Sequence, residues 1–161
     1  MHRWSKRRTL ASIVVMEALL CRTESWAELS AEVKSALANS SHIYIATTRK
    51  GGGLGARSES WFLYHKGVVY IASALDTWRV RRIKAGRSRA KIWVGAPNGP
   101  SFAATGALVK ELQIPEVMFK TYAKKYPSTD KLELMWPDRE QEYRKGLKDG
   151  SRVLTKYTPA D

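Results

Sequence analysis

Val68-Val-Tyr-Ile-Ala-Ser-Ala-Leu-Asp-Thr-Trp-Arg-Val-Arg-Arg-Ile-Lys84 is the stretch on which the fold turns. Val68 to Ala72 is β-branched and aromatic, the composition of a strand. Asp76-Thr77 offers a helix start, and the spacing predicts a short helix over 77–86 that ends at Gly86. Working outward, Trp61 to Tyr64 is aromatic and extended, and His65-Lys-Gly67 is a turn, so residues 57–72 read as a β-hairpin. Ile43 to Thr48 is another strand, and Lys50 to Gly55 is a glycine-rich loop. Downstream, strands are expected at Ala90 to Val94, Phe102 to Lys110 and Val153 to Tyr157, with a turn at Pro97 to Pro100. Helices are expected over 26–39, Pro115 to Tyr126 and 138–148, the first opened by a Ser25/Glu28 capping box. Strands and helices do not alternate, which excludes a doubly wound parallel sheet. The pattern is mainly β with peripheral helices, a small antiparallel barrel whose closure removes exposed edges.

The chain has 161 residues and a formal net charge of +13. That length fits one domain with its own core, here 26–161, after an N-terminal extension over 1–25. With one cysteine, Cys21, an intramolecular disulfide and a cysteine zinc cluster are both excluded. The charge is uneven: residues 1–91 carry +11 and residues 92–161 carry +2. Two clusters hold most of it. One is Arg3 to Arg8, and the other runs from Arg79 to Lys91 without an acid.

The first cluster precedes an apolar run, Leu10 to Leu20, in the outline of a signal peptide. Glu17 interrupts that run, and Arg22-Thr-Glu24 lacks the small residues of a cleavage site. The run also falls short of the ~20 apolar residues a membrane helix needs. Met16 offers an alternative start, which would make 1–15 upstream sequence. The expected compartment is the cytoplasm, with export as the alternative.

Gly51 to Ala56 matches a dinucleotide fingerprint in letters, but that fingerprint must open a helix, and Arg57 to Tyr64 is strand-like. His2, His42 and His65 lack a ligand spacing, so no metal site is expected. No catalytic acid or base is identified. In the predicted 77–86 helix, Arg79 and Arg82 share one face, while Val80 and Ile83 can pack inward. Paired guanidiniums beside a helix start suit a phosphate, and Trp61 and Trp78 offer flat surfaces for a conjugated ring. A solvated amphipathic helix is the competing reading of the same residues.

The ordered set resembles the pyridoxamine 5'-phosphate oxidase-like split-barrel family. Ile43 to Lys50 with its glycine loop is similar to the family's first strand, and Arg57 to Tyr64 to its second. Val69 to Ser73 and Thr77 to Ile83 resemble the third strand and the basic turn after it. Ala90 to Gly95 and Thr105 to Val109 match the next two. The resemblance implies a six-stranded antiparallel split β-barrel of the FMN-binding type. It further implies a homodimer with FMN, or F420 in a related branch, at the subunit interface, and hydride transfer to or from a small-molecule substrate. By position, Arg57, Ser58 and Trp61 would line the cofactor, while Ser73, Trp78, Arg79 and Arg82 would hold its phosphate end. Glu59 and Ser60 stand where many members carry Pro-Val. The C-terminal substrate residues of the true oxidases find no match, so that substrate is not transferred. Two rivals remain: a non-catalytic split-barrel protein that binds a flavin or haem, and a nucleic-acid module in which Trp78 and Trp93 stack bases beside the 79–91 run.

Overall fold

A computed structural model of the chain describes residues 27–126 and 136–161. The Arg3–Arg8 cluster, Cys21 and the signal-like segment lie outside the described residues, as does Ser25. The chain order is α1 (Ala31–Asn39), β1 (Ile43–Thr47), β2 (Ser58–Ser60), β3 (Leu63–His65), β4 (Val68–Ala74), α2 (Trp78–Lys84), β5 (Arg89–Val94), β6 (Ser101–Val109), α3 (Ile114–Lys125), α4 (Trp136–Asp149) and β7 (Arg152–Pro159). All seven strands form one antiparallel sheet in the order β2-β1-β5-β6-β7-β4-β3.

The count is seven, not the expected six. The expected second strand changes partner halfway along. Ser58–Ser60 pairs with β1, while Leu63–His65 pairs with β4. Trp61 and Phe62 are the only residues between these two edge strands. The sheet's two edges are therefore adjacent in sequence, and one bent segment spans the gap between them. Only the 63–72 part of the expected hairpin pairs as a hairpin. The helix start also moves: Ser30, not Ser25, caps α1, its hydroxyl accepting from the Val33 N–H at 3.2 Å. Glu28 instead accepts a 2.8 Å bond from Lys34.

Period-2 alternation explains the core. Ile43, Ile45, Val69, Ile71, Ala90, Ile92, Val94, Ala104 and Tyr157 share the inner face with Phe62, and Leu29, Val33 and Leu37 close it from the α1 side. β4 and β7 are covered on both faces. Their outer residues Val68, Tyr70 and Leu154 pack against Ile114, Met118, Phe119 and Tyr122 of α3 and Tyr143 and Leu147 of α4. That double burial is why Val68–Ala74 reads as an unbroken apolar run rather than an alternating one. Tyr143 ties the layers together. Its hydroxyl accepts from the Ser73 N–H at 2.8 Å and donates to the Val153 carbonyl at 2.6 Å.

Candidate functional site

Strand β4 ends in a turn, and α2 begins after Thr77. The Thr77 hydroxyl donates back to the Ala74 carbonyl at 3.0 Å and makes no cap bond to the helix. Val80, fully buried, anchors the seven-residue helix to the barrel, and Ile83 packs beside the core. This orientation turns Arg79 and Arg82 toward β1 and β2. Arg79 donates to the Ser60 hydroxyl at 2.8 Å and reaches the Ser58 hydroxyl at 3.5 Å. Arg82 donates to both the carbonyl and the hydroxyl of Thr47 at 2.8 Å.

Between these side chains lies a hollow of about 520 Å³, lined by β1, β2 and α2. Arg57, Ser58, Trp78, Arg79 and Arg82 all border it, so five of the seven sequence-derived candidates converge there. Trp61 and Ser73 border a second hollow of about 230 Å³, and Thr77 and Arg79 line both. Arg79 and Thr77 therefore border both spaces. Thr47 and Arg49, which line the larger hollow, and Ser60 and Tyr122, which line the smaller, were not anticipated. Thr47, Arg49 and Ser60 lie at or just past strand ends, which leaves no local mark in the sequence, and Tyr122 belongs to the apolar stripe of α3, whose pattern marks core rather than a site.

The candidates differ in how free they are. Trp78 is 69% exposed, with the guanidiniums of Arg81 and Arg82 at 5.4 and 5.8 Å from its ring. Arg57 is exposed, donates to the Pro97 carbonyl and lies 4.0 Å over the Trp93 ring. Trp61 is half-buried, stacks on Tyr126 at 4.2 Å and donates its indole N–H to His42 Nε2 at 3.0 Å. Ser73 is 3% exposed, and its hydroxyl is engaged with that of Thr155 at 3.1 Å. Ser73 thus helps hold the wall of the second hollow through its own internal bonds.

The electrostatics of the larger hollow are one-sided. Among the described residues, no carboxylate lies within 4.0 Å of Arg49, Arg57, Arg79 or Arg82. Burial pushes the Arg79 guanidinium below the ordinary arginine value, and the nearby Tyr157 and Tyr122 hydroxyls offset this in part. Arginine nevertheless stays charged at neutral pH. The cost of holding that charge out of water is offset by the Ser60 and Ser58 hydroxyls, which leaves donor capacity and net charge facing the hollow. Gly55 makes the approach possible, because a Cβ at that position would collide with the Arg82 guanidinium. The glycine loop therefore gives room to an arginine, and no helix opens from it: Thr48 bridges Leu54, and the chain continues into β2.

No family model matches the chain, and no curated protein sequence matches it. Solved structures do. A conserved hypothetical protein, Rv2991, from Mycobacterium tuberculosis superposes with a TM-score of 0.57 at 13% identity, covering 83% of this chain and 81% of that one. A Clostridium acetobutylicum protein described as related to general stress protein 26, of the pyridoxinephosphate oxidase family, gives 0.51 at 16% identity over 80% and 81%. HutZ, the haem storage protein of Vibrio cholerae, gives 0.52 at 13% over 84% and 92%. These likenesses show the fold, the split barrel of pyridoxamine 5'-phosphate oxidase-like proteins.

Proposed function

We propose that this chain is a flavin-type oxidoreductase that binds FMN, with F420 as the alternative, in the hollow between β1, β2 and α2. The observation that carries the reading is the acid-free pair Arg79 and Arg82, half-buried and facing a space of about 520 Å³. A phosphate would take their unused N–H donors in charge-assisted bonds, each worth about 1.5–3 kcal/mol. Arg57 and Arg49 add charge at the rim, and exposed Trp78 offers an apolar face for the ring or for a second subunit. In this reading the site is completed by a second copy of the chain. A bound flavin supplies the hydride chemistry itself. The chain's residues bind the phosphate, orient the ring and shield it from water. A small-molecule substrate would approach through the smaller hollow, across Arg79.

The second reading, haem binding without turnover, has HutZ on its side as a structural neighbour. The geometry favours the flavin. Neither hollow is lined by histidine, cysteine or methionine, and burial pushes the hydroxyl of Tyr122, which lines the smaller one, well up and away from the tyrosinate that ligates haem iron. His42 already shares Nε2 with the Trp61 indole and Nδ1 with the Ser41 hydroxyl. A nucleic-acid role would rest on the exposed Arg81, Lys84, Arg89 and Lys91, whereas Arg79 and Arg82 turn inward toward Ser60 and Thr47. The test is to purify the protein, record its visible spectrum and titrate it with FMN, F420 and haem. A flavin or deazaflavin spectrum, or saturable binding of either, supports the proposal. Saturable haem binding with neither flavin bound would replace it by the second reading.

A further inference from the structure

Sharing no lining residue with the hollow at α2, a separate one of about 380 Å³ is framed by α1, β3 and α3. It is lined by Leu37, Ala38, Tyr64, Thr121, Lys124 and Lys125. We propose that this hollow is a carbonyl-binding site in which Lys125 forms an imine with a small oxo acid such as glyoxylate. The Lys125 amine lies 3.6 Å from the centre of the Phe62 ring, a side chain with no exposed surface. No described carboxylate lies within 4.0 Å of that amine. The ring face returns only part of the hydration lost, on the order of 0.5–2 kcal/mol. Burial accordingly lowers the Lys125 amine to about 8. A sizeable fraction is then the neutral nucleophile near neutral pH, unlike an ordinary surface lysine.

The surroundings are compatible with an anionic carbonyl compound. Lys124 sits at the exposed rim. Tyr64 is the ionisable group contributed by β3. Lys34 of α1, which interacts electrostatically with Tyr64, is already paired with Glu28 at 2.8 Å. The unprotonated Lys125 nitrogen adds to the carbonyl carbon. The resulting carbinolamine then loses water, both amine hydrogens leaving with the former carbonyl oxygen, and a C=N bond remains. No oxidant or reductant is required.

The full chain is incubated with glyoxylate and cyanoborohydride at about pH 7.5, and carboxymethylated lysines are located by peptide mass mapping. The reductant traps the imine as a stable secondary amine. Lys125 should be labelled about tenfold or more faster than the exposed Lys50 and Lys66, as its lowered proton affinity implies. Lys124→Gln should slow labelling of Lys125 by glyoxylate while leaving its labelling by neutral acetaldehyde unchanged. Labelling of Lys125 at the same rate as Lys50 and Lys66 would overturn the site. Equal effects of Lys124→Gln on both aldehydes would overturn the oxo-acid preference.

Discussion

Around α3 and α4 five cations, Lys120, Arg139, Arg144, Arg152 and Lys156, have carboxylate partners, whereas among the described residues no cation of α2 has one. Glu116 accepts Lys120 at 2.7 Å and Arg144 at 3.2 Å, Glu142 accepts Arg139 at 3.3 Å and Arg152 at 2.9 Å, and Glu111 accepts Lys156 at 3.1 Å. Arg79 and Arg82, by contrast, bond hydroxyls and a carbonyl, with the Trp78 ring beside Arg82 and no described carboxylate within reach. Both regions are rich in arginine and lysine, so composition alone does not separate them. The difference lies in where the compensating charge comes from. In the first region it is built into neighbouring helices, and the pairs lie largely in water. In the second no described carboxylate supplies it, and the proposed cofactor phosphate would do so.

The comparison can be broken most sharply at the unpaired pair. Arg79→Ala with Arg82→Ala should weaken FMN or F420 binding about 100-fold or more, since at least two charge-assisted bonds are lost; equilibrium titration reads it. Gly55→Ala adds a Cβ where the Arg82 guanidinium lies and should cost about tenfold in the same titration by displacing one donor. Arg79→Met removes a half-buried charge that has no acidic partner, so the ligand-free protein should melt at the same or a higher temperature while binding is impaired. A lower melting point with binding intact would reverse the assignment of that side chain.

Lys125 is a half-buried cation in this region with no described carboxylate beside it, and pH tests it. Its folded value of about 8 lies below the ordinary lysine value of 10.5, so the unfolded chain binds more protons between the two. Stability should therefore rise with pH from about 8 toward 10, and Lys125→Met should flatten that part of the profile. Tyr126 and Tyr143, pushed up to about 12 by burial, act in the opposite direction, but only above the ordinary tyrosine value of 10. The smallest effect belongs to Glu116→Ala. Its ion pairs are exposed, so the thermal midpoint should hardly move and cofactor affinity should stay unchanged.

Most elements were legible because their signals are local. Val68–Ala74, the helix with Val80 buried, and the turn at Gly86, whose φ is +75°, follow from residue type and spacing. The split of the 57–65 segment was not legible, because the change of partner at Trp61-Phe62 is imposed by the sheet's two edges and not by those residues. The start of α1 was not legible for a related reason: both serines are good caps by residue type, and the helix that docks Val33 and Leu37 on the barrel begins at Ala31, with Ser30 bonding the Val33 N–H. At the site, Arg79 and Arg82 could be named from their shared helical face. Thr47 could not, since it enters through its backbone carbonyl as well as its hydroxyl, 35 residues away in sequence. Lys125 was equally invisible, because only the approach of α1 and Phe62 makes that amine unusual.

The central claim is that the unpaired arginines of α2 await a phosphate. Comparing FMN with riboflavin, which lacks the phosphate, tests it most directly. The wild-type chain should bind FMN far more tightly than riboflavin, and Arg79→Ala with Arg82→Ala should bring the two affinities together. Equal affinities in the wild type, or a preference for FMN that survives the double substitution, would contradict the account.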